Sequence, residues 1–72
     1  MDIKWKFGQR MKDLRIIKGY SQERLSYKAG LDRTYVNSIE NGKRNVSIKN
    51  IIKIVNALDI SLSDFFNSKK FM

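Results

Sequence analysis

A chain of 72 residues with 15 lysine and arginine side chains against 7 acidic ones carries a formal net charge of +8, which points to a polyanionic partner. So short a chain buries only about 60% of the surface that its unfolded form exposes. It has no cysteine, so no disulfide or thiolate metal site can compensate, and burial between two subunits is the remaining device for stability.

The elements follow in order. Ile3, Phe7, Met11, Leu14 and Ile17 recur at alternating four- and three-residue steps and predict a first helix from about Ile3 to Lys18. Gly8 interrupts that pattern at a cost of roughly 1 kcal/mol relative to alanine, which is expected where two segments approach closely. Gly19, Gly30 and Gly42 each follow an apolar-periodic segment, where helices end. Ser21 caps a second helix with Glu23 in its first turn and Leu25 and Ala29 inward. Asp32 caps a third, running to near Asn41 with Val36 and Ile39 inward. Ser47 caps a fourth that carries Ile48, Ile51, Ile52, Ile54, Val55 and Leu58. Its β-branched residues also suit a buried strand, but its cap, its length and its continuation into Ala57-Leu58 favour a helix. Ser61, with Asp64 three residues on, opens a short fifth helix bearing Leu62, Phe65 and Phe66. Residues 67–72 are expected to fray. The expectation is therefore all-α: a compact five-helix bundle forming a single domain over residues 1–72, with a helix-turn-helix at 21–41 and a dimerisation region at 54–66.

The third helix has the most informative chemistry. Arg33, Thr34, Asn37 and Ser38 form an outward row suited to the edges of bases in a DNA major groove. Arg33 can fork onto O6 and N7 of guanine, or else pair with Asp32 on the surface or touch only phosphate. Thr34 and Ser38 offer hydroxyls, and the Thr34 methyl suits thymine. Asn37 can bond adenine or a phosphate. Tyr35 is a base-side candidate whose ring either rests on the scaffold with its hydroxyl towards the DNA or is simply half-buried. Lys43, Arg44 and Asn45 follow in a loop that can grip phosphate, as can Lys49 and Asn50 at the start of the fourth helix. The fourth and fifth helices hold more apolar residues than one face can use. Ile54, Ile60, Leu62, Phe65 and Phe66 are therefore read as a homodimer surface, the alternative being that Phe65 and Phe66 close the core of a monomer.

Other classes find little support. There is no apolar run of about 18 residues, and the start of the chain is too charged for a signal peptide. With no histidine or cysteine, no metal-ligand motif and no phosphate loop, neither an enzyme nor a metal or other cofactor is expected. The length leaves no room for a separate effector domain.

Phe7-Gly8-Gln9-Arg10-Met11, Leu14-Arg15, Lys18-Gly19-Tyr20-Ser21-Gln22-Glu23, Leu25, Ala29-Gly30-Leu31, Ile39-Glu40-Asn41-Gly42-Lys43-Arg44 and Ala57-Leu58-Asp59-Ile60 occur in that order. The set resembles the Cro and phage-repressor-like helix-turn-helix family over Phe7 to Phe66. Within it, Leu31-Asp32-Arg33-Thr34-Tyr35-Val36 with Glu40 and Arg44-Asn45 is similar to the controller proteins of restriction–modification systems. The family often has proline where Val46 stands. The resemblance implies that Gln22 bonds a DNA phosphate and that Arg15 and Glu40 form a structural ion pair. It further implies a cytoplasmic homodimer regulating transcription from a pseudo-palindromic operator, by covering a promoter or by recruiting RNA polymerase. Rival readings are a phage-type repressor or antitoxin-like regulator of the same fold, a module whose basic face binds an acidic protein or RNA, and, most remote, a membrane-surface peptide, no membrane partner being expected.

Overall fold

Every α-helix begins on the polar residue that its sequence supplies as a cap. In the computed structural model, which describes residues 2–72, α1 spans Ile3–Ile17, α2 Gln22–Ala29, α3 Arg33–Glu40, α4 Ile48–Ala57 and α5 Leu62–Phe66, followed by a 3-10 turn at Lys69–Phe71. The Asp2, Ser21, Asp32, Ser47 and Ser61 side chains accept from backbone amides of the first turn, as when Ser21 Oγ takes the Arg24 amide at 2.9 Å. Each such cap contributes about 1 kcal/mol. The segment that also suited a strand is helical, because its apolar positions Ile54, Val55 and Leu58 then share one buried face.

Met11, Leu25, Val36, Ile39, Ile54, Leu58 and Phe65 are fully buried and join all five helices in one core. The α3 helix lies against both α1 and α2, while α2 also packs on α4. Val46 is half-buried against the core and holds the α3–α4 loop to it. The α4 helix ends without a glycine: Asp59 takes the left-handed conformation, φ +58°, a role that a short polar side chain tolerates.

Two expectations are corrected. Ile54 and Phe65, read as dimer-surface residues, have no exposed area in the single chain. The Phe65 ring lies 5.0 Å from those of Phe7 and Phe66, and Arg10 fixes the backbone around it by donating to the carbonyls of Phe65 (2.8 Å) and Asp64 (2.9 Å). Phe65 therefore closes the core, as the alternative reading had it. The tail is not frayed either. The Phe71 ring lies tilted 5.1 Å from that of Phe66 and Lys70 meets Asp13 at 3.1 Å, so the last aromatic residue gains partners that composition could not reveal.

Gly8 sits where α1 crosses α3. A Cβ there would overlap the Ile39 carbonyl oxygen and lie 3.0 Å from Glu40 Cα, and backbone atoms cannot rotate aside. Gly8→Ala gains about 1 kcal/mol of helix propensity but forces apart two packed helices, a strain of 1–3 kcal/mol or more. The urea midpoint should therefore fall. A midpoint that rises would mean that the crossing is loose.

Candidate nucleic-acid interface

The geometry of the candidate site begins with a buried carboxylate. Glu40, the last residue of α3, is 4% exposed and would be costly to desolvate alone. Arg15 of α1 meets it side-on, Nε to Oε2 at 2.7 Å and the outer nitrogen to Oε1 at 3.1 Å. The remaining guanidinium nitrogen donates to the Tyr20 carbonyl at 2.8 Å. Gln22, the first residue of α2, donates its side-chain amide to Oε1 at 3.0 Å, and Gln9 donates to the Glu40 backbone carbonyl at 3.2 Å. The ion pair implied by the resemblance is present in the structure, and it joins α1, α2 and the turn between them to the end of α3.

At the other end of α3, Gly30 turns the chain with φ +67° and the Leu31 amide returns to the Ser26 carbonyl at 2.9 Å. Val36 and Ile39 seat the inner face. Arg33, Thr34 and Asn37 are left exposed and Ser38 partly so. Together with Gln22, the first three line a shallow polar depression. Among the described residues Arg33 has no ion-pair partner, and the Asp32 carboxylate accepts the Thr34 amide instead (3.3 Å). The surface pair offered as an alternative for Arg33 is not formed.

The remaining candidates divide into free and committed groups. Lys43, Arg44, Asn45 and Lys49 are exposed. Tyr35 is half-buried, and its hydroxyl accepts from the Asn50 side-chain amide at 3.1 Å. Its ring lies 5.1 Å beneath the Arg44 guanidinium, a cation–π contact that holds the loop arginine beside α3. Of the two readings of Tyr35, the scaffold contact describes its ring; its hydroxyl keeps a proton to donate. Gln22 and Asn37 are bonded to each other, Asn37 Nδ2 to Gln22 Oε1 at 3.2 Å. Sequence reasoning missed Asn41, which donates to both the backbone and the side-chain oxygen of Asn37 at 3.1 and 3.2 Å. Trp5, which the sequence suggests as a packing or rim residue rather than a base-stacking platform, is half exposed, and its backbone and ring crowd Gly42 ahead of the basic loop. The Asn37–Asn41 pair has the four-residue spacing at which helix side chains meet, a signal that could have found it, whereas the contact of Trp5 with Gly42 depends on how α3 ends against α1.

Between Arg24 and Leu58 the only acidic residues are Asp32, which caps α3, and Glu40, which is buried. The exposed edge of α3 and the loop beyond it therefore present a positive field. Among the described residues there is no group of carboxylates or imidazoles able to hold a metal ion, and no helix is long and apolar enough to cross a membrane.

A family model described as helix-turn-helix matches residues 11–65. The control protein C.MunI of Mycoplasma sp is 52% identical over 67 residues, spanning 92% of this chain and 90% of that protein. Among solved structures, the restriction-modification controller protein C.AhdI from Aeromonas hydrophila superposes with a TM-score of 0.87 at 50% identity, over 92% of this chain and all of the other. The controller protein C.Esp1396I, as a tetramer in complex with its natural 35 base-pair operator, gives 0.86 at 39% identity, over 92% and 87% of the two chains.

Truncation of Glu40 removes the hub of the site: Gln22 loses its acceptor, and Arg15 keeps only the Tyr20 carbonyl. Breaking a buried pair in this way costs about 3–5 kcal/mol, most of the stability of a domain of this size. Glu40→Ala should therefore unfold at a much lower urea concentration, and a midpoint close to wild type would show the pair to be dispensable.

Proposed function

This chain belongs to the helix-turn-helix family, and from that premise we propose that it is a sequence-specific DNA-binding transcriptional regulator, the controller protein of a restriction–modification system. The observation that carries the reading is the exposed edge of α3: among the described residues the Arg33 and Thr34 side chains have no internal partner, on a helix fixed by a buried carboxylate. A rigid helix of this kind enters a major groove with its N-terminal residues at the base edges.

In this reading Arg33 pairs with guanine, Thr34 and Ser38 meet neighbouring bases, and Asn37 faces an adenine. Tyr35 acts from the rim by holding Arg44 and Asn50 and by offering its hydroxyl proton. Lys43, Arg44, Asn45, Lys49 and Asn50 fix register on phosphate. Gln22 joins them through its second amide hydrogen, the first being committed to Glu40. The dominance of phosphate contacts makes affinity fall steeply with salt. Such a regulator works in the cytoplasm, where its operator lies, and covering a promoter or contacting RNA polymerase beside it are the two outcomes open to it.

The operator-binding species is a homodimer. With Ile54 and Phe65 inside the core, its surface is built from Ile60, Leu62 and Phe66, of which Leu62 is 45% and Phe66 38% exposed. Ile52, 40% exposed on α4, extends the same apolar character. Two copies related by a two-fold axis would set their α3 helices about 34–36 Å apart, so the operator is a pseudo-palindrome.

Two measurements test this. Arg33→Ala should keep its fold and lose discrimination at one symmetric pair of positions by about 1–3 kcal/mol; footprints with unchanged sequence preference would refute the base contact. Leu62→Asp places a charge at the first turn of α5, where the helix tolerates it, but in the middle of the dimer surface. Sedimentation should show a monomer with weakened operator binding, and an undisturbed dimer would move the interface elsewhere.

A further inference from the structure

Asn37 is a reading candidate whose side-chain amide is held on both sides. Its Nδ2 donates to Gln22 Oε1 at 3.2 Å and its Oδ1 accepts from Asn41 Nδ2 at 3.2 Å. A side-chain amide can be turned end for end at little cost unless its neighbours distinguish nitrogen from oxygen. Here both neighbours do. Glu40 is ionised against Arg15 and can only accept, so Gln22 must offer it the NH2 group (3.0 Å). Gln22 thereby turns its carbonyl oxygen to Asn37, which must answer with its own NH2. From the other side, Asn41 donates to the Asn37 backbone carbonyl at 3.1 Å, which fixes its nitrogen towards Asn37 independently of Glu40. Two anchors of different origin, a buried carboxylate and a main-chain oxygen, impose the same polarity.

We infer that Gln22 and Asn41 are positioning residues that set the donor–acceptor sense of Asn37 and thereby its choice of base, a refinement that rests on the DNA-reading role given to α3. After both internal bonds, Asn37 retains one amide hydrogen and one lone pair. Adenine offers the complement, an acceptor at N7 and a donor at N6. A reversed amide would present its donor where the oxygen now stands, and thymine O4 or guanine O6 would be accepted in place of the adenine amine. The relay from Arg15 through Glu40 and Gln22 therefore bears on which base is bound as well as on how firmly the helix is held.

The test is selection of bound duplexes from a random pool by wild type, Asn37→Ala, Gln22→Met and Asn41→Ala, each first checked for a cooperative thermal transition. Asn37→Ala identifies the base pair concerned. At that pair the wild type should prefer adenine, whereas Gln22→Met and Asn41→Ala should admit guanine or thymine, with discrimination falling about fivefold or more. Preference at the pairs read by Arg33 should persist in both. Loss of the Gln22 phosphate contact would instead weaken every sequence equally, so a motif unchanged in shape in both variants would overturn the relay. A wild type that selects no sequence would overturn the DNA-reading role beneath it, and the two failures are distinct.

Discussion

Everything on the outer surface depends on one desolvated carboxylate. An eight-residue helix such as α3 is far too short to persist alone in water, so its direction is set by what grips its ends. At its C-terminal end the grip is Glu40, bonded to α1 through Arg15 and to α2 through Gln22. Charge burial of this sort adds little net stability compared with a hydrophobic replacement. What it adds is direction: a side-on arginine and a donor amide fit a carboxylate in few geometries, whereas apolar contacts would permit α3 to slide. The backbone contact at Gly8 acts in the same sense, bringing α1 against Ile39 and Glu40 so closely that no side chain fits between them.

A second clamp secures the surface beyond α3. Tyr35 buries part of its ring against the core, ties Asn50 at the start of α4 through its hydroxyl, and carries Arg44 on its outer face. A loop of basic residues would otherwise lose several rotatable bonds of freedom on meeting DNA, each long side chain costing up to about 2 kcal/mol to immobilise. Part of that ordering is already accomplished in the free protein. One aromatic residue thus links α3, the basic loop and the fourth helix, which explains why a tyrosine stands beside the exposed polar row.

Much of this architecture was legible in the sequence, because caps and periodicity are local properties. Ser21, Asp32, Ser47 and Ser61 mark four helix starts, and Gly30 marks the turn that defines the motif. The exposed row of α3 followed from the inward spacing of Val36 and Ile39. Where the sequence misled, the cause was tertiary. Ile54 and Phe65 look surplus to one helix face, yet Phe7, Phe66 and Phe71 enclose Phe65, and apolar count alone cannot separate a deep core from a dimer surface. Asp59 ends α4 in a conformation usually left to glycine. The commitments of Gln22 and Asn37 were equally hidden, because they arise from the meeting of α2 with the far end of α3.

In the proposed reading, the limited extent of the reading surface is a reason for two copies. Of the outward side chains of α3, only Arg33 and Asn37 can then pair with a base through two bonds, and at about 1–3 kcal/mol for each such pair one copy would discriminate by about 2–6 kcal/mol. Specific sites are typically favoured over random DNA by about 4–10 kcal/mol, the upper part of which lies beyond a single helix of this length. The phosphate-gripping residues cannot make up the difference, because they bind every sequence alike. Doubling the reading helix through a two-fold axis does so without lengthening the chain, and it places the apolar residues that one core cannot absorb, Leu62 and Phe66 among them, where a partner can cover them. The same shortage of buried area that leaves a 72-residue domain marginal therefore favours the assembly that its recognition chemistry requires.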